Sequence, residues 1–515
     1  MRPYPRCLAA LCTSSLLALA ACSDDGSAGA TPEAPASDAG EEADSTAAVD
    51  AAPEANAKDA GKDQEAGPCT PNTQPDPPDD DGLDTNCDGA DGVVGRDLYV
   101  DPKNGDDTNT GTAKLPFKTL AKALELSDGT VSILVSAGAL SPEPIAEPVG
   151  LRIYGGYEKG FLGAPERSRT IFHADAGGLH ITSDGSVALH HLTVEGSSAV
   201  SADQPSSHGL VFEVAEALLD DVTVRAGDAL SGTPGKQGSS GSAGQTSQAG
   251  DTVTCGNKAQ PAYAVGAAAN AANLAGQPPG SIPSKTPAPT GEAGVPGTDG
   301  QNADGVPALE KDYLSFAHGT SGSNDGTVGT GGPGGDGYLD TFTINGQQYS
   351  ITGGRGGNGG CPGNGGFYGV SAGGAAAVVV LNGSLTVSRS RLATGFAGTG
   401  GDGGKGGSGG KGGPGGTPNI TKNGSPFSTP ATCSASTDPL QVNCAAYGGA
   451  GGEGGRGGTG GGGAGGWTIG VLTKGVATVV VDTATEFDLG KPGTGGMGGV
   501  ARAPDGQKAP QHHIP

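Results

Sequence analysis

Short aliphatic runs recur along this chain at an interval that predicts a coiled stack of strands. Residues 187–194 and 217–224 share one order of apolar and polar positions, and the two runs are offset by 30 residues. Alternate side chains of a strand point to the same face. Leu189 and Leu219 are therefore expected to occupy the same interior row of two successive coils.

Four segments align on this pattern, and each contains a short β-branched run, a turn and a second strand. They are residues 178–196, 209–227, 375–395 and 468–490. One such coil cannot bury its apolar face alone, whereas stacked coils can. The pattern predicts an all-β parallel β-helix in which four aliphatic residues share one continuous interior: Leu189, Leu219, Val387 and Val480.

Residues 98–196 carry a specific resemblance. Leu98-Tyr99-Val100-Asp101 is followed by Gly105-Asp106, Gly111-Thr112 and Pro116-Phe117, and apolar residues at helical spacing predict a short helix over residues 119–126. The segment resembles the start of right-handed parallel β-helix proteins of the pectate-lyase-like type. The resemblance implies the fold and an N-terminal cap, and it implies no activity.

Glycine tracts flank the last two coils. Residues 400–416 and 448–466 read largely as Gly-Gly-X, and a shorter tract covers residues 353–366. An extended helix with three residues per turn would place glycine on two edges, where neighbouring strands could hydrogen-bond to it. The X residues would then share one edge, as listed for the first tract: Asp402, Lys405, Ser408 and Lys411. The tracts resemble glycine-rich repeat domains of bacterial surface proteins, for which polyglycine-II bundles are expected; a flexible linker is the alternative.

Composition supports a narrow solenoid rather than a large conventional core. The chain of 515 residues contains 100 glycines and 37 prolines, and only 4% of its residues are aromatic.

Residues 231–373 form the longest excursion from the coils. Within it, residues 342–351 predict a β-hairpin with an Asn-Gly turn, and residues 262–307 are expected to be irregular.

Net charge and the absence of one motif argue against two classes of partner. The net charge is −25, and residues 24–97 alone carry 20 Asp and Glu against three Lys and Arg. Nucleic-acid binding needs clustered basic residues, so it is not expected. No Gly-Lys-Ser or Gly-Lys-Thr occurs, so a nucleotide site is not expected either.

The N-terminus predicts export and lipid anchoring. Arg2 and Arg6 precede an uncharged apolar stretch over residues 8–21, which ends in Leu19-Ala20-Ala21-Cys22. This ending resembles a bacterial lipobox and implies cleavage before Cys22, with acyl chains on that thiol. An ordinary secretory signal is the alternative. Ser23 implies the outer membrane, either surface-exposed or periplasm-facing. An acidic tether over residues 22–68 is expected to be disordered.

An Asp-rich motif follows the tether. Within residues 78–92, closely spaced carboxylates and glycines are typical of a site for a hard cation such as Ca²⁺. The motif resembles short Asp-rich metal-binding motifs of bacterial surface proteins and thrombospondin type 3 repeats. The expected ligands are Asp79, Asp81, Asp84, Asp88 and Asp91. An acidic linker closed by a disulfide is the alternative.

Six cysteines remain once Cys7 and Cys12 leave with the signal and Cys22 takes lipid. They are Cys69, Cys87, Cys255, Cys361, Cys433 and Cys444. An even number in an exported protein indicates up to three disulfides, with 15 possible pairings. Local pairing favours Cys69–Cys87 and Cys433–Cys444, which leaves Cys255–Cys361.

Enzymatic residues are harder to place. Ser207-His208-Gly209 and Asp220-Asp221 resemble short pieces of polygalacturonase motifs, but their order is reversed and no Arg-x-Lys follows. Adjacent aspartates on a strand also point to opposite faces. No catalytic residue is therefore assigned, and solvent-facing residues at a coil turn are the preferred interpretation.

These observations divide the chain into seven parts. They are a signal peptide (1–21), tether (22–68), Asp-rich motif (69–97), cap and first coils (98–230), glycine, proline and alanine-rich insertion (231–373), later coils with glycine tracts (374–499) and tail (500–515). The expected role is structural or adhesive, through binding of glycans or other surface and matrix components. The alternative is a polysaccharide lyase or glycoside hydrolase.

Overall fold

The structure is a computed structural model. It describes residues 70–515 except 73, 147–149, 257, 269, 272–287, 311–312, 325, 332–335, 338–341, 345, 418 and 427–446. The described residues belong to one compact unit. The predicted signal peptide, Cys22 and the acidic tether lie outside them, as do Cys69, Cys433 and Cys444. No helix in the described part is long and apolar enough to cross a bilayer.

The regular elements are short and nearly all are strands. The first coils contain β1 (Leu98–Val100), α1 (Leu120–Leu126), β2 (Ile133–Ser136), β3 (Gly138–Leu140), β4 (Ile145–Ala146), β5 (Leu151–Tyr157), β6 (Thr170–Ala174), β7 (Leu179–His190), β8 (Thr193–Gly196), β9 (Ser207–Asp220) and β10 (Thr223–Ala226). The excursion contains β11 (Thr254–Cys255), β12 (Lys258–Ala259), a 3₁₀ helix (Ala262–Ala264), β13 (Asn270–Ala271), β14 (Pro307–Glu310), β15 (Tyr313–Phe316), β16 (Asp336–Gly337), β17 (Phe342–Ile344) and β18 (Gln347–Thr352). The remaining strands are β19 (Ala375–Val380), β20 (Gly383–Ser388), β21 (Arg391–Thr394), β22 (Asn419–Lys422), β23 (Ser425–Pro426), β24 (Thr468–Lys474), β25 (Ala477–Val481), β26 (Glu486–Asp488) and β27 (Lys508–Ile514).

Two parallel sheets form the solenoid. The larger has 11 strands with a main path β1-β2-β5-β7-β9-β19-β24-β27, and the smaller has six strands in the order β26-β21-β10-β8-β6-β3. Most coils contribute strands to both sheets, and two coils add two strands each to the larger sheet, β19 with β20 and β24 with β25. Apolar residues of both sheets form one buried cluster between them. The architecture is a parallel β-helix, as the sequence predicted.

Interior rows run through the coils in register. Leu189 pairs with Leu219, Leu219 with Val387 and Val387 with Val481. The first three side chains are fully buried. The expected row is therefore real, but its last member was placed one residue too early. Val480 pairs with Thr386 and is 62% exposed.

This error of one position has a simple cause. Three consecutive valines end β25, and successive strand residues face opposite sides of a sheet. Valine content alone does not say which of the three points inward. The neighbouring coil decides, because Val481 lies opposite Val387.

The N-terminal end of the column is closed by α1. Thr119 caps the helix, since its hydroxyl accepts a hydrogen bond from the Lys122 amide. Leu120 and Ala123 are buried against the first coils. The predicted helix over residues 119–126 is confirmed with Thr119 as its cap.

A second layer of extended chain lies beside the coils. It comprises residues 230–247, 288–303, 318–324, 326–331, 353–373, 396–416, 448–466 and 489–498, called the glycine layer below. Amides of Gly235, Gly238 and Gly241 donate to the carbonyls of Asp402, Lys405 and Ser408, so hydrogen bonding repeats every third residue. This is the period that a three-residue extended helix requires. The tracts are strands of an ordered layer and not linkers.

Glycine content follows the number of neighbours of each tract. Residues 396–416 hydrogen-bond to four other tracts and carry two glycines per triplet. Residues 230–247 hydrogen-bond to two, carry one glycine per triplet and expose the other two positions. The segment 262–307 was expected to be irregular, but its residues 288–303 belong to this layer through Gly291, Gly294, Gly297 and Gly300.

Three antiparallel strand pairs lie in the described part of the excursion, and β11–β12 is the shortest of them. β17 and β18 pair antiparallel, which confirms the predicted hairpin. β14 and β15 form a second hairpin that packs Leu309, Leu314 and Phe316 on the outer face of the larger sheet, against Trp467 and Ile469. The excursion is thereby held against the solenoid.

Candidate functional site

Three successive coils turn through a residue in a left-handed backbone conformation. His191, Asp221 and Arg389 have φ values of 52°, 51° and 47°. They follow His190, Asp220 and Ser388, which pair with one another across the sheet. Such φ values are uncommon for residues other than glycine. The coil therefore imposes a bend at this point. Five charged or titratable side chains lie at this bend, and together they are called the turn ladder: His190, His191, Asp220, Asp221 and Arg389.

Arg389 is the centre of the turn ladder. Its Nη2 and Nε lie 2.7 Å and 3.0 Å from the two carboxylate oxygens of Asp220, and its Nη1 lies 2.6 Å from Asp80 Oδ2. The backbone amide of Arg389 donates to Asp482 in the next coil. Hydrogen bonding to Arg389 holds the pKa of Asp80 below its usual range. Asp80 is therefore ionised at neutral pH and belongs to an ion-pair network that joins the Asp-rich motif to the coils.

His191 links the same aspartate to a second carboxylate. Its Nδ1 lies 3.0 Å from Asp221 Oδ2 and its Nε2 lies 3.1 Å from Asp80 Oδ1. The imidazole is almost fully buried, with 4% of the side chain exposed. Arg167 also pairs with Asp221, at 3.0 Å. Each ring nitrogen of His191 thus faces a carboxylate, which orients the ring on both sides.

A shallow cleft of about 380 Å³ opens between the Asp-rich motif and the turn ladder. Its lining residues are Pro78, Asp79, Asp80, Asp81, Tyr154, His190 and Asp220. The ring of His190 stacks on Tyr154 with centroids 4.4 Å apart and planes 3° from parallel. Burial lowers the pKa of His190. The cleft therefore combines several carboxylates with an aromatic wall.

Three of the five predicted metal ligands are used by their own loop. Asp79 accepts hydrogen bonds from the amides of Asp81 and Gly82. Asp81 accepts from Leu83 N. Asp84 accepts hydrogen bonds from the amides of Asp88 and Gly89, which lie 4 and 5 residues further along the chain. These contacts shape the turns of the Asp-rich motif.

Asp88 and Asp91 differ from the other three. Each has one buried carboxylate oxygen without a hydrogen-bond partner. The other oxygen of Asp91 accepts from Tyr157 Oη at 2.6 Å, and burial raises the pKa of Asp91 to about 6. Buried oxygens without donors are groups that a hard cation can satisfy.

The predicted metal site is nevertheless not assembled as one cluster. Within the described residues, no three acidic, histidine or cysteine side chains are arranged so that they could hold one metal ion. Calcium binding stays a prediction, and Asp88 and Asp91 are the residues that fit it best.

One predicted disulfide is present between described residues. Cys255 and Cys361 are bonded, with Cα atoms 5.5 Å apart and 106 residues of separation. Cys87 is also disulfide-bonded, and its predicted partner Cys69 lies outside the described residues. The predicted Cys433–Cys444 pair lies there as well.

The short pieces that resemble polygalacturonase motifs do not come together. His208 is fully buried beneath the β14–β15 hairpin, where its Nε2 accepts from Leu314 N at 3.3 Å. Burial lowers the pKa of His208 to about 4. Asp220 and Asp221 instead belong to the turn ladder. His208 is thus a packing residue under the hairpin.

Sequence reasoning missed the partners that organise this site. Arg389 and Arg167 carry no motif, and Asp80 is not among the expected metal ligands. A signal was available, because the offset of 30 residues that aligned Leu189 with Leu219 also aligns His191 with Asp221. Repeated polar residues at one turn of successive coils indicate a ladder.

Fold and site together define the protein as a parallel β-helix protein with a charged turn ladder. Residues 103–177 match the family described as "Protein of unknown function (DUF1565)", a family found in parallel β-helix proteins. This match covers the helix α1 and the first coils. No curated protein and no solved structure matches the chain.

Proposed function

We propose that this protein is a non-catalytic, lipid-anchored protein of the bacterial cell envelope. Its acyl anchor is on Cys22, and the solenoid with its glycine layer presents a rigid surface to glycans or other envelope and matrix components. The outer membrane is the proposed location, in line with the export signal and the residue after Cys22.

The observation that carries the non-catalytic role is the mutual pairing of charges on the turn ladder. Asp80 and Asp220 both bind Arg389, and Asp221 binds His191 and Arg167. A general acid or base must have an accessible oxygen or nitrogen close to its substrate. These groups instead bind one another and attach the Asp-rich motif to the coils.

The glycine layer supports a presenting role. Its X positions are exposed at every third residue along residues 402–411, on a backbone fixed by hydrogen bonds on its other edges. A surface with this regular spacing loses little conformational entropy on binding, because its backbone is already ordered.

We also propose that the Asp-rich motif binds Ca²⁺, with Asp88 and Asp91 as its principal protein ligands. The two buried oxygens without donors support this assignment. Bound Ca²⁺ would neutralise both carboxylates and stabilise the folded motif.

The anchor is tested by metabolic labelling. Cells expressing the full chain are fed an alkyne analogue of palmitate, and the wild type is compared with Cys22→Ala. We expect label on the wild type and none on the variant, with the variant released from the membrane fraction. A labelled variant, or an unlabelled wild type, would remove lipid anchoring from the proposal.

The second candidate is a polysaccharide-degrading enzyme, and the cleft beside the turn ladder favours it. Asp79 and Asp80 are its acid and base candidates, since burial and Asp81 raise the pKa of Asp79, while Arg389 lowers that of Asp80. Incubation with acidic and neutral polysaccharides, followed by assays for reducing ends and unsaturated products, decides between the two. Turnover that Asp79→Asn and Asp80→Asn each abolish and Asp203→Asn retains would establish the enzyme.

A further inference from the structure

A groove runs between two tracts of the glycine layer, residues 396–416 and 448–466. The tracts pair antiparallel, with amides of the second donating to carbonyls of the first at every third residue. Residues 489–498 lie in the first part of the groove and leave it at Gly498, whose amide donates to Ala501 O in a turn. The part of the groove beyond this turn is called the open groove below.

The segment in the first part shows what the groove accepts. The amide of Gly400 donates to Thr494 O at 2.8 Å, and the amide of Gly496 donates to Gly463 O at 2.8 Å. One wall therefore supplies amide donors, and the other supplies carbonyl acceptors. A Cβ atom on Gly496 would lie 2.0 Å from Gly401 O, and the glycines three and six residues earlier meet the same limit. The groove thus requires glycine at every third residue of its occupant.

The same walls continue along the open groove. Two rows of backbone groups there have no hydrogen-bond partner among the described residues. They are the amides of Gly406, Gly409 and Gly412 and the carbonyls of Gly451, Gly454 and Gly457. Unpaired rows of this kind can pair with an added extended chain.

The register of the two walls is the same in both parts of the groove. A Cβ atom on Gly400 would lie 2.0 Å from Gly463 O, beside the filled part. One on Gly406 would lie 1.9 Å from Gly457 O, beside the open part. The open groove therefore offers the donors and acceptors of the filled part at the same spacing.

Lysines border the open groove. Asp402, beside the filled part, accepts from the amide of Met497 at 2.6 Å, so side chains in its row reach the occupant. Lys405 and Lys411 follow three and nine residues later in the same row, and both are exposed. The facing tract exposes one Glu and one Arg, whose charges offset each other. The lysines therefore favour an occupant with acidic side chains.

We propose that the open groove binds a Gly-Gly-X tract of another polypeptide, in the extended conformation with three residues per turn and with acidic residues at X. The chain's own segment in the groove has this repeat, since residues 494–499 read Thr-Gly-Gly-Met-Gly-Gly. The partner adds one strand to the glycine layer. This inference rests on the presenting role of the proposed function and names a class of partner for it.

Synthetic peptides test the open groove. Labelled peptides with four repeats of Asp-Gly-Gly, Lys-Gly-Gly or Asp-Ala-Ala are titrated into the purified full-length protein, and binding is followed by fluorescence anisotropy. We expect the Asp-Gly-Gly peptide to bind and the Asp-Ala-Ala peptide not to bind, because its Cβ atoms would overlap with wall carbonyls. The Lys-Gly-Gly peptide is expected to bind about two-fold or more weakly, the effect of one or two exposed charge pairs.

Lys405→Glu tests the position of the partner. We expect this variant to bind the Lys-Gly-Gly peptide more tightly and the Asp-Gly-Gly peptide more weakly than the wild type does. The matched control is Lys236→Glu, which makes the same charge change at an exposed residue of the tract 230–247. That tract does not hydrogen-bond to residues 448–466 within the described part of the chain, so the control is expected to bind like the wild type. Unfolding temperatures check that both variants are folded.

Hydrogen exchange at single-residue resolution gives an independent measurement. Gly403 donates to Met497 O and is expected to exchange slowly with or without peptide. The amides of Gly406 and Gly409 are expected to exchange faster in the free protein and to slow when the Asp-Gly-Gly peptide is added.

Three results would overturn the peptide site. They are no binding of the Asp-Gly-Gly peptide at millimolar concentration, equal binding of the Asp-Ala-Ala peptide, and exchange at Gly406 as slow as at Gly403 in the free protein. Each of them leaves the anchor and the non-catalytic role standing, because the labelling of Cys22 and the turnover assay decide those separately.

Discussion

Single glycines in the glycine layer are fixed by the space around them. A Cβ atom on Gly404 would lie 2.0 Å from the Lys236 carbonyl oxygen, and one on Gly403 would lie 1.9 Å from the Gly460 carbonyl oxygen. Both distances are far below van der Waals contact. Each glycine is therefore required by a neighbouring backbone and not by its own torsion angles.

Gly404→Ala is expected to destabilise the protein by about 1–3 kcal/mol, the usual cost of excess volume in a packed interior. Lys405→Ala, the adjacent exposed position, is expected to change stability by less than about 0.5 kcal/mol. Urea unfolding of both variants measures the difference. Equal midpoints would mean that the tracts are not packed as described.

Asp91 makes stability depend on pH. Its folded pKa of about 6 lies above the usual value near 4 that applies to an unfolded chain. Between these values the folded state binds more protons than the unfolded state, so the free energy of unfolding falls as pH rises from about 4 to 6. Ionisation of this fully buried carboxylate lowers the free energy of unfolding by on the order of 2–3 kcal/mol.

Asp91→Asn should remove this dependence. With a chelator present, we expect the variant and the wild type to unfold at similar temperatures at pH 4 and the variant to be more stable at pH 8. Calorimetric unfolding across this range tests the sign. Parallel pH profiles for the two proteins would contradict the assignment of the shift to Asp91.

At the scale of elements, the sequence predicts strands better than it predicts register. The repeat of 30 residues located β7 to β10, and β-branched runs located β19 and β24. The interior row failed at β25, because Val479, Val480 and Val481 have the same chemistry and only the preceding coil selects the inward pair. Register is a property of two strands, so one strand alone cannot supply it.

A matched pair of valines tests the register. Val387 is fully buried and Val480 is 62% exposed. Val387→Ala is expected to cost about 2 kcal/mol, through lost burial and a cavity, and Val480→Ala less than about 0.5 kcal/mol. Thermal and urea unfolding measure both. A larger loss at Val480 would restore the register that the sequence suggested.

The candidate site was predictable only in part for a related reason. The Asp-rich motif is visible in sequence because its carboxylates are neighbours in the chain. The turn ladder joins Asp80 to Arg389 across 309 residues, and the excursion between β10 and β19 hides that proximity. Without the coil register, nothing in the local sequence connects them.

At the scale of the molecule, the disulfide between Cys255 and Cys361 links two distant parts of the excursion. Cys255 and Cys361 close a loop with a sequence separation of 106 residues, while neither cysteine belongs to a coil strand. We expect Cys255→Ala/Cys361→Ala to destabilise the excursion by about 2–4 kcal/mol and to leave the solenoid folded. Limited proteolysis tests this, with cleavage expected within residues 247–262 before any cleavage in β7 or β9.

The hydrogen bonds of the glycine layer recur every third residue and connect tracts that are far apart in sequence. Deleting one residue from such a tract would rotate every later position by one edge, so glycines would turn to solvent and side chains toward neighbouring backbones. Loss or gain of three residues is one full turn of the extended helix, so every later glycine still faces a neighbouring backbone. The tracts are therefore expected to tolerate insertions and deletions of three residues, or of multiples of three, and not of one or two. This requirement restricts how their length can change in evolution.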